Sequence, residues 1–384
     1  MYEYFENNYP WSVNVALAVA QGGQMSEIDD ACRDLRHLSA DTPHHMATEA
    51  WFQSWVQVGE RLAALATENE LRGRRVSAGT YFFRATIYLL VAERVMGWTD
   101  SRRGATYRRA LETFRKGHEC SSHRTERFEV RNEKGEVLSA YLRLPAGDGP
   151  FPTVLFFNGF DTIKEMHYLL YAEDAVQRGL AILFIDQEGT GEAMRLHGVT
   201  KRVDAECSVA PFIDLLQTRP DIDAARIGVA GISNGGYDAP RAAIFESRLM
   251  CVGCLGAFFN GDDYLGRFES GRQVTVTRGL ADLDDHMMTV MGASDVESAY
   301  RKFAERDLSG VIGHLSVPLL VVHGEHDRQV PVWHAEKTVA GAVGSPDVEF
   351  KLFGVNESSA EHCGGDNTRM HGRYLFDWMA EHLR

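Results

Sequence analysis

Apolar residues follow two different periods along this chain, and the change lies near residue 120. Between about residues 12 and 118 they recur at three- and four-residue steps, as Trp51, Trp55, Val58 and Leu62 do. This is the period of a helix with one face packed on a core, so we predict an all-helical N-terminal region. The predicted helices are Glu27 to Leu38, Ala47 to Leu65, Ser77 to Met96 and Gly104 to Lys116.

After residue 120, short apolar runs bounded by turn residues alternate with helical segments, which predicts a mostly parallel, doubly wound sheet. The expected fold class is therefore α/β, with a helical cap domain over residues 1–120 and a catalytic domain over 121–384. The pattern lapses between Asn260 and Leu308, where a helical insertion near the site mouth and a solvated connection both stay open. The predicted strands are Thr125 to Arg131, Val137 to Leu144, Phe151 to Phe157, Leu180 to Asp186, Arg226 to Ala230, Leu249 to Gly256, Val317 to Val322 and Val348 to Phe353.

One of these strands runs directly into a Gly-x-Ser-x-Gly motif centred on Ser233. Small residues two positions before and after the serine relieve crowding in a tight strand-to-helix turn. Such a turn exposes the hydroxyl and points backbone N–H groups of the following helix at the same place. We therefore predict that Ser233 is a nucleophile at the start of a helix.

An acid and a histidine follow the serine in the order expected for an α/β-hydrolase triad. Asp327 lies in the polar loop after a buried strand, where it is placed to orient an imidazole; Glu325 in the same loop is the alternative. His362 lies in a glycine-rich loop after the last predicted strand and is the predicted general base. The chain has 15 histidines, and only this one combines the expected order of strand, loop and helix.

An oxyanion hole needs two backbone donors, one after the nucleophile and one after an earlier strand. We assign these donors to the N–H groups of Asn234 and Phe160, with Gly159 allowing close approach. The alternative for the segment around Phe160 is an ordinary turn at the end of a strand.

The chain has a formal net charge of −14, which argues against nucleic acid as a partner. The six cysteines are scattered and no secretory segment precedes them, so we expect free thiols in a reducing cytoplasm. Cys251 and Cys254 lie in an apolar run and are assigned to packing, since no second pair completes a zinc site. The glycines between Asp186 and Glu192 lack the rest of a dinucleotide motif. No metal, cofactor or membrane span is expected.

Five segments of the chain together resemble a known group. They are the helical segment Ser77 to Tyr88, the stretch Asn158 to Glu165, the Asp186 to Glu192 loop, the Ser233 turn and Glu361-His362-Cys363. It is the group of α/β-hydrolases typified by 2,6-dihydroxypseudooxynicotine hydrolase, with FrsA-like esterases and fungal polyketide-shortening hydrolases as relatives. The resemblance extends over nearly the whole chain. One departure is that many relatives have Pro-Gly where this chain has Glu188-Gly189.

The resemblance implies a serine hydrolase that cleaves a carbon–carbon bond next to a carbonyl in an aromatic or polyketide-like ketone. A carboxylesterase or thioesterase stays open, as does a non-catalytic acyl-binding or regulatory protein. The group's carbon–carbon hydrolase uses an additional acid, for which Asp262, Asp263 and Glu246 are candidates. The helical domain is expected to cover the site and to supply a homodimer contact. Four of its aromatic residues either line the site or pack in the core: Trp51, Trp55, Phe82 and Tyr88. The candidate substrate-binding residues are Glu165, Glu188, Tyr237, Asp262 and Asp263.

Overall fold

The computed structural model describes residues 2–6, 8–38, 44–271 and 283–384. Contacts divide the chain into two compact units. The first contains Met1–His123 and a short segment that ends at His286, and the second contains Arg124–Val274 and Met287–Arg384. None of the helices in the described ranges is long and apolar enough to cross a membrane.

The regular secondary structure of the first unit, within its described residues, is helical, and its core is aromatic. Trp51 and Trp55 are fully buried, with ring centroids 5.3 Å apart, and Trp51 Nε1 donates to the Val91 carbonyl at 3.1 Å. Phe82 and Tyr88 are buried as well, so all four candidate lining residues of this unit lie in its core. The helices are α1 (Tyr9–Ala20), α2 (Met25–Cys32), α3 (His44–Leu71), α4 (Arg75–Arg94) and α5 (Ser101–Glu119), with a 3-10 helix at Arg33–Leu38.

The second unit is built on an eight-stranded sheet whose strand order is β1-β2-β4-β3-β5-β6-β7-β8. β2 pairs antiparallel with β1 and β4, and every other pair is parallel. The central strands are buried along most of their length, because helices cover both faces of a parallel sheet. The strands are β1 (Thr125–Arg131), β2 (Val137–Arg143), β3 (Phe151–Phe157), β4 (Ala181–Asp186), β5 (Ile222–Ile232), β6 (Leu249–Leu255), β7 (Leu319–Gly324) and β8 (Val348–Phe353).

Helices connect these strands and confirm the predicted α/β class with an N-terminal helical region. The described part of the segment between Asn260 and Leu308 is helical, whereas residues 272–282 of that segment lie outside the described residues. Loops after β3, β5, β7 and β8 carry the predicted site residues to one edge of the sheet, the usual ligand edge of such folds. The helices are α6 (Lys164–Val176), α7 (Gly191–Arg195), α8 (Glu206–Gln217), α9 (Gly235–Phe245), α10 (Asp262–Glu269), α11 (Leu283–Met291), α12 (Val296–Ala304), α13 (Trp333–Gly341) and α14 (Thr368–His382).

Candidate active site

Ser233 lies in the two-residue turn between β5 and α9, in the left-handed region with φ of 56°. This conformation is uncommon for a side chain other than glycine, and it projects the hydroxyl away from the strand. Gly231 has to be a glycine here, because a Cβ at this position would lie 2.0 Å from the Gly235 carbonyl oxygen. The Ser233 N–H donates to Leu255 O at 2.7 Å, which fixes the turn against β6.

His362 and Asp327 complete a continuous hydrogen-bonded chain to the serine. His362 Nε2 lies 2.9 Å from Ser233 Oγ, and His362 Nδ1 lies 2.6 Å from Asp327 Oδ2. Because the carboxylate only accepts, Nδ1 carries a hydrogen and Nε2 is free to take the serine proton. The predicted serine, acid and histidine therefore meet at one point, although 129 positions separate Ser233 from His362 in sequence.

The loop around Asp327 holds the carboxylate ionised. Asp327 Oδ1 accepts the N–H groups of Gln329 at 2.9 Å and Val330 at 2.8 Å. Burial raises the pKa of Asp327, but the neighbouring His362 charge and these hydrogen bonds outweigh it and hold the pKa below its usual value. The rival acid, Glu325, instead lies 3.4 Å from the Val355 N–H, on the far side of the loop.

The imidazole of His362 is packed between the acid and a thiol. Burial lowers the pKa of His362, but the Asp327 carboxylate overcomes this and raises the pKa well above 6.5. Cys363 Sγ lies 3.4 Å from His362 Nε2 and donates to Leu255 O at 3.2 Å. Gly256 provides the space, because a Cβ there would lie 2.6 Å from Cys363 Sγ. Cys363 itself has a φ of 51°, so the backbone is left-handed directly after the base.

The two predicted oxyanion donors lie on either side of the serine. Asn234 immediately precedes α9, and backbone N–H groups in the first turn of a helix have no partner within that helix. A Cβ on Gly159 would lie 3.3 Å from Ser233 Cβ, so the loop that carries Phe160 passes directly beside the nucleophile. The assignment of Phe160 and Asn234 as donors stays a prediction, and this placement is compatible with it.

Aromatic side chains line the same edge of the sheet. The Phe303 ring lies 5.2 Å from Phe160, 5.5 Å from Phe258 and 5.4 Å from Tyr264, measured between centroids. Phe160 and Tyr264 are half-buried, whereas Phe258 and Phe303 are buried behind them. Tyr264 also donates to the Gln329 carbonyl in the acid loop at 3.5 Å. We call Phe160, Phe258, Tyr264 and Phe303 the aromatic wall.

Glu165 lies in a buried cluster of charges below the loop after β3. Lys164 Nζ is 2.7 Å from Glu165 Oε1, 2.7 Å from Asp186 Oδ2 and 3.1 Å from Glu192 Oε1. Burial raises the pKa of Glu165 to about 7. Burial also raises the pKa of Glu192, but Lys164 and Arg127 overcome it and hold that pKa at about 2. We call these five residues the Lys164 cluster; a contact of Glu165 with substrate stays a prediction.

The other candidate substrate-binding residues divide into buried and accessible ones. Glu188 is buried, accepts a hydrogen bond from the Asn132 side-chain amide at 2.8 Å and also accepts one from the Ser208 hydroxyl. The Tyr237 hydroxyl donates to the Val203 carbonyl at 3.1 Å. Both side chains are thus bonded within the protein. Asp262 is exposed at the start of α10, and Asp263 beside it is half-buried. These four stay predictions as substrate contacts.

Asp263, a candidate for the additional acid, lies close to the aromatic wall. It pairs with Arg267, and its Oδ2 lies 3.9 Å from Nε2 of the buried His334, whose ring stacks on Phe258. Glu246, the third candidate for that acid, pairs instead with Arg248 at 2.6 Å, after the end of α9. Asp263 therefore lies nearer the aromatic wall than Glu246 does.

Sequence reasoning missed two residues that support the triad. His323, at the end of β7, donates from Nε2 to the Val330 carbonyl at 2.9 Å and lies 3.4 Å from Asp327 Oδ2. Cys363 was visible only as the neighbour of the predicted base. The signal for His323 was a histidine inside an otherwise apolar strand, since a buried polar side chain at such a position requires a partner.

The comparisons with known proteins agree with this fold. The profile of the FrsA-like esterases matches residues 39–295, about two thirds of the chain. The α/β-hydrolase xenA of Xenoacremonium sinensis is 30% identical over 55% of this chain and 52% of its own length. 20-Hydroxy-prefusarin hydrolase of Gibberella moniliformis is 31% identical over 54% and 52%. This chain thus spans about half the length of these curated relatives.

A bacterial relative matches over a longer range. 2,6-Dihydropseudooxynicotine hydrolase of Paenarthrobacter nicotinovorans is 27% identical over 82% of this chain and 79% of its own length. The crystal structure of 2,6-dihydroxy-pseudo-oxynicotine hydrolase has a TM-score of 0.77 at 24% identity, over 96% of this chain and 95% of that chain, which shows the shared fold. On the profile match, this chain belongs to the FrsA-like esterase family of α/β-hydrolases.

Proposed function

We propose that this chain is a serine hydrolase in which Ser233 is the nucleophile, His362 the general base and Asp327 the orienting acid. The observation that carries the proposal is the hydrogen-bonded chain from Asp327 through His362 to Ser233, with contacts of 2.6 and 2.9 Å. A base within hydrogen-bond reach of the nucleophile, itself oriented by a third group, is the arrangement that activates a hydroxyl.

The first step is attack on a carbonyl carbon. His362 Nε2 takes the proton of Ser233 Oγ as the oxygen–carbon bond forms, and the carbonyl electrons move onto oxygen. The N–H groups of Phe160 and Asn234 stabilise this oxyanion, and each contributes about 3 kcal/mol on the usual scale of such donors. Asp327 stabilises the imidazolium that results and stays ionised.

The proposed substrate is an aromatic or polyketide-like ketone with a second carbonyl placed to stabilise a carbanion. Collapse of the tetrahedral intermediate breaks the carbon–carbon bond, and its electron pair leaves as an enolate. The imidazolium of His362 returns its proton to the enolate, which yields a ketone and an acyl-enzyme. Water, activated by the same histidine, then releases a carboxylic acid. The net reaction consumes one water for each bond broken.

Two observations support this substrate class. The aromatic wall lies beside the nucleophile turn, and Phe160 and Tyr264 are partly accessible there. The relatives include proteins named as hydrolases of 2,6-dihydropseudooxynicotine and of 20-hydroxy-prefusarin. Asp262 and Asp263, at the start of α10, are the predicted substrate contacts that this proposal retains. An ester or thioester substrate is the second candidate, which the family's description as esterases favours.

The test is labelling of the purified protein with a fluorophosphonate, followed by mapping of the adduct by mass spectrometry. We expect one adduct on Ser233 that is absent from the folded Ser233→Ala variant. Benzoylacetone and phenyl acetate then separate the two substrate classes by their products. Absence of labelling in both forms would overturn the serine mechanism and favour a non-catalytic, acyl-binding role.

Cytoplasmic location and a homodimer remain predictions that accompany this function. All six cysteines are free thiols, which is compatible with a reducing compartment. Light scattering on the purified protein measures the mass of the particle directly. A particle of 42.9 kDa, the mass of one chain, would contradict the dimer.

A further inference from the structure

The loop after β3 carries the proposed donor Phe160, and one side chain binds both backbone groups of its first residue, Asn158. Gln187 Oε1 accepts the Asn158 N–H at 3.2 Å, and Gln187 Nε2 donates to the Asn158 carbonyl at 2.9 Å. The parallel ladder between β3 and β4 ends at Phe157 and Ile185. The amide of Gln187 therefore extends the backbone pairing of β3 by one residue, into a loop that has left the sheet.

The same amide also contacts the first turn of α9, the helix that follows the proposed donor Asn234. Gln187 Nε2 lies 3.3 Å from Asp238 Oδ2. Asp238 belongs to the first turn of α9, and this helix begins directly after Asn234. Lys201 Nζ binds Asp238 Oδ2 at 3.1 Å, and Arg306 pairs with Asp238 Oδ1. The carboxylate that receives Gln187 is thus itself fixed. Gln187 links the loop of Phe160 to the helix of Asn234.

Because Gln187 and its partners are buried, the position favours a side-chain amide over other side chains. Gln187 is 2% exposed, and Asn158 and Asp238 are each 1% exposed, so water does not replace a missing partner. A side-chain amide accepts through its oxygen and donates through its nitrogen, which matches a backbone N–H and a backbone carbonyl at the same time. A glutamate would accept but place a carboxylate against the Asn158 carbonyl and Asp238. A methionine would fill a similar volume without either bond.

We propose that Gln187 is a positioning residue of the oxyanion hole, which holds the Phe160 loop at a fixed distance from Ser233 and from the first turn of α9. The proposal rests on the proposed serine-hydrolase function. An oxyanion donor acts only when it lies about 2.7 to 3.1 Å from the oxyanion. Loss of Gln187 is therefore expected to weaken stabilisation of the tetrahedral intermediate and to leave binding of the ground-state substrate unchanged.

The experiment compares Gln187→Met and Gln187→Glu with wild type and with Gln177→Met. Gln177 is an exposed residue directly after the end of α6, so it controls for the glutamine-to-methionine change itself. The probes are para-nitrophenyl acetate and phenylboronic acid, whose tetrahedral serine adduct places an oxygen in the hole. For Gln187→Met we expect kcat to fall about tenfold to hundredfold, with KM within about twofold. The inhibition constant of phenylboronic acid should rise by a similar factor, and Gln187→Glu should be affected more strongly.

A second measurement tests the position of the loop without use of catalysis. Hydrogen–deuterium exchange of peptides that contain Asn158 to Ile163 should be faster in Gln187→Met than in wild type and unchanged in Gln177→Met. A folded Gln187→Met protein with kcat, inhibition constant and exchange all near wild type would overturn the proposal. A wild-type protein that neither labels at Ser233 nor binds the boronic acid would overturn the proposed function instead. The exchange comparison would still decide whether Gln187 holds the loop.

Discussion

Arg328 and Glu361 form an ion pair of 2.6 Å between the residue after Asp327 and the residue before His362. A backbone hydrogen bond from His326 N–H to Ala360 O, 2.8 Å long, joins the same two loops. The two neighbours of Asp327 thus both contact the segment that directly precedes His362, in addition to the hydrogen bond between Asp327 and His362. The relative position of acid and base depends on this pairing of two loops that are distant in sequence.

We expect the Arg328→Met variant to lose activity more than stability. The Arg328 side chain is 44% exposed and that of Glu361 only 6%, so we expect the pair to contribute about 1 kcal/mol to the free energy of unfolding, the upper end for an exposed pair. A looser histidine loop misplaces Nε2 relative to Ser233, and we expect kcat to fall about threefold to tenfold. Steady-state kinetics and thermal unfolding measure the two effects. Arg373→Met, which removes an exposed guanidinium that pairs with the buried Asp174, is the control; an equal loss of kcat in both variants would contradict the expectation.

The plot of kcat/KM against pH should have an ascending limb, and its midpoint should lie above the ordinary histidine pKa of about 6.5. The pKa of His362 is raised by Asp327, and only the neutral imidazole accepts the serine proton, so the free enzyme gains activity as pH rises through that pKa. In Asp327→Asn the limb should move to lower pH, and kcat should fall about 10⁴-fold. The measurement is kcat/KM for para-nitrophenyl acetate across the pH range. A wild-type limb below the ordinary value would show that Asp327 does not hold the proton on His362.

The Gly256→Ala variant should be nearly inactive. Its Cβ would lie 2.6 Å from Cys363 Sγ, so the thiol that packs against the His362 imidazole has to move, whereas His362 Cε1 at 3.7 Å is in ordinary contact. Gly256 also has a φ of 72°, where a side chain costs about 1 to 2 kcal/mol. Gly135→Ala is the matched control, because Gly135 has a φ of 78° and no atom within 4 Å of the added Cβ. Equal kcat values for the two variants, measured on folded protein, would rule out the steric effect on His362.

Loss of the amine at Lys164 should destabilise the second unit strongly. Lys164→Met leaves the carboxylates of the Lys164 cluster without their central cation, and breaking a buried ion pair in this way costs about 3 to 5 kcal/mol. The free energy of unfolding in urea measures the cost. Lys351→Met removes a more exposed pair with Glu357 and should cost less than about 1 kcal/mol. Similar values for both variants would mean that water or another group compensates for the missing amine.

Much of the secondary structure of the second unit could be predicted from the local pattern of apolar and turn residues. The strands at Thr125–Arg131, Phe151–Phe157 and Val348–Phe353 have the predicted bounds, because turn residues close each run. Helix α1 was not predicted, since its buried face includes the polar residues Ser12 and Asn14 beside Trp11 and Val15 and so lacks a clear apolar stripe. The polar side chains of that face bond to the backbone of their own segment, an arrangement that periodicity does not reveal.

The contacts around Ser233, Asp327 and His362, by contrast, could not be predicted from local sequence patterns. Ser233, Asp327 and His362 were recognisable because each follows a strand at a characteristic turn. The contacts of Gln187 with Asn158 and of Cys363 with Leu255 join residues 29 and 108 positions apart, and neither has a local sequence signature. Side-chain amides and thiols that bind backbone groups are determined by tertiary packing. Their role was visible only once the strand order was known.

The order of strands in the sheet has a consequence for how the protein is synthesised. The proposed nucleophile follows β5, whereas the proposed base follows β8, an edge strand that pairs with β7 and is the last strand in sequence. On the proposed mechanism, a nascent chain therefore carries its nucleophile without a proton acceptor until the segment beyond β8 has been translated. Premature termination anywhere before His362 would release a polypeptide that lacks the proposed base.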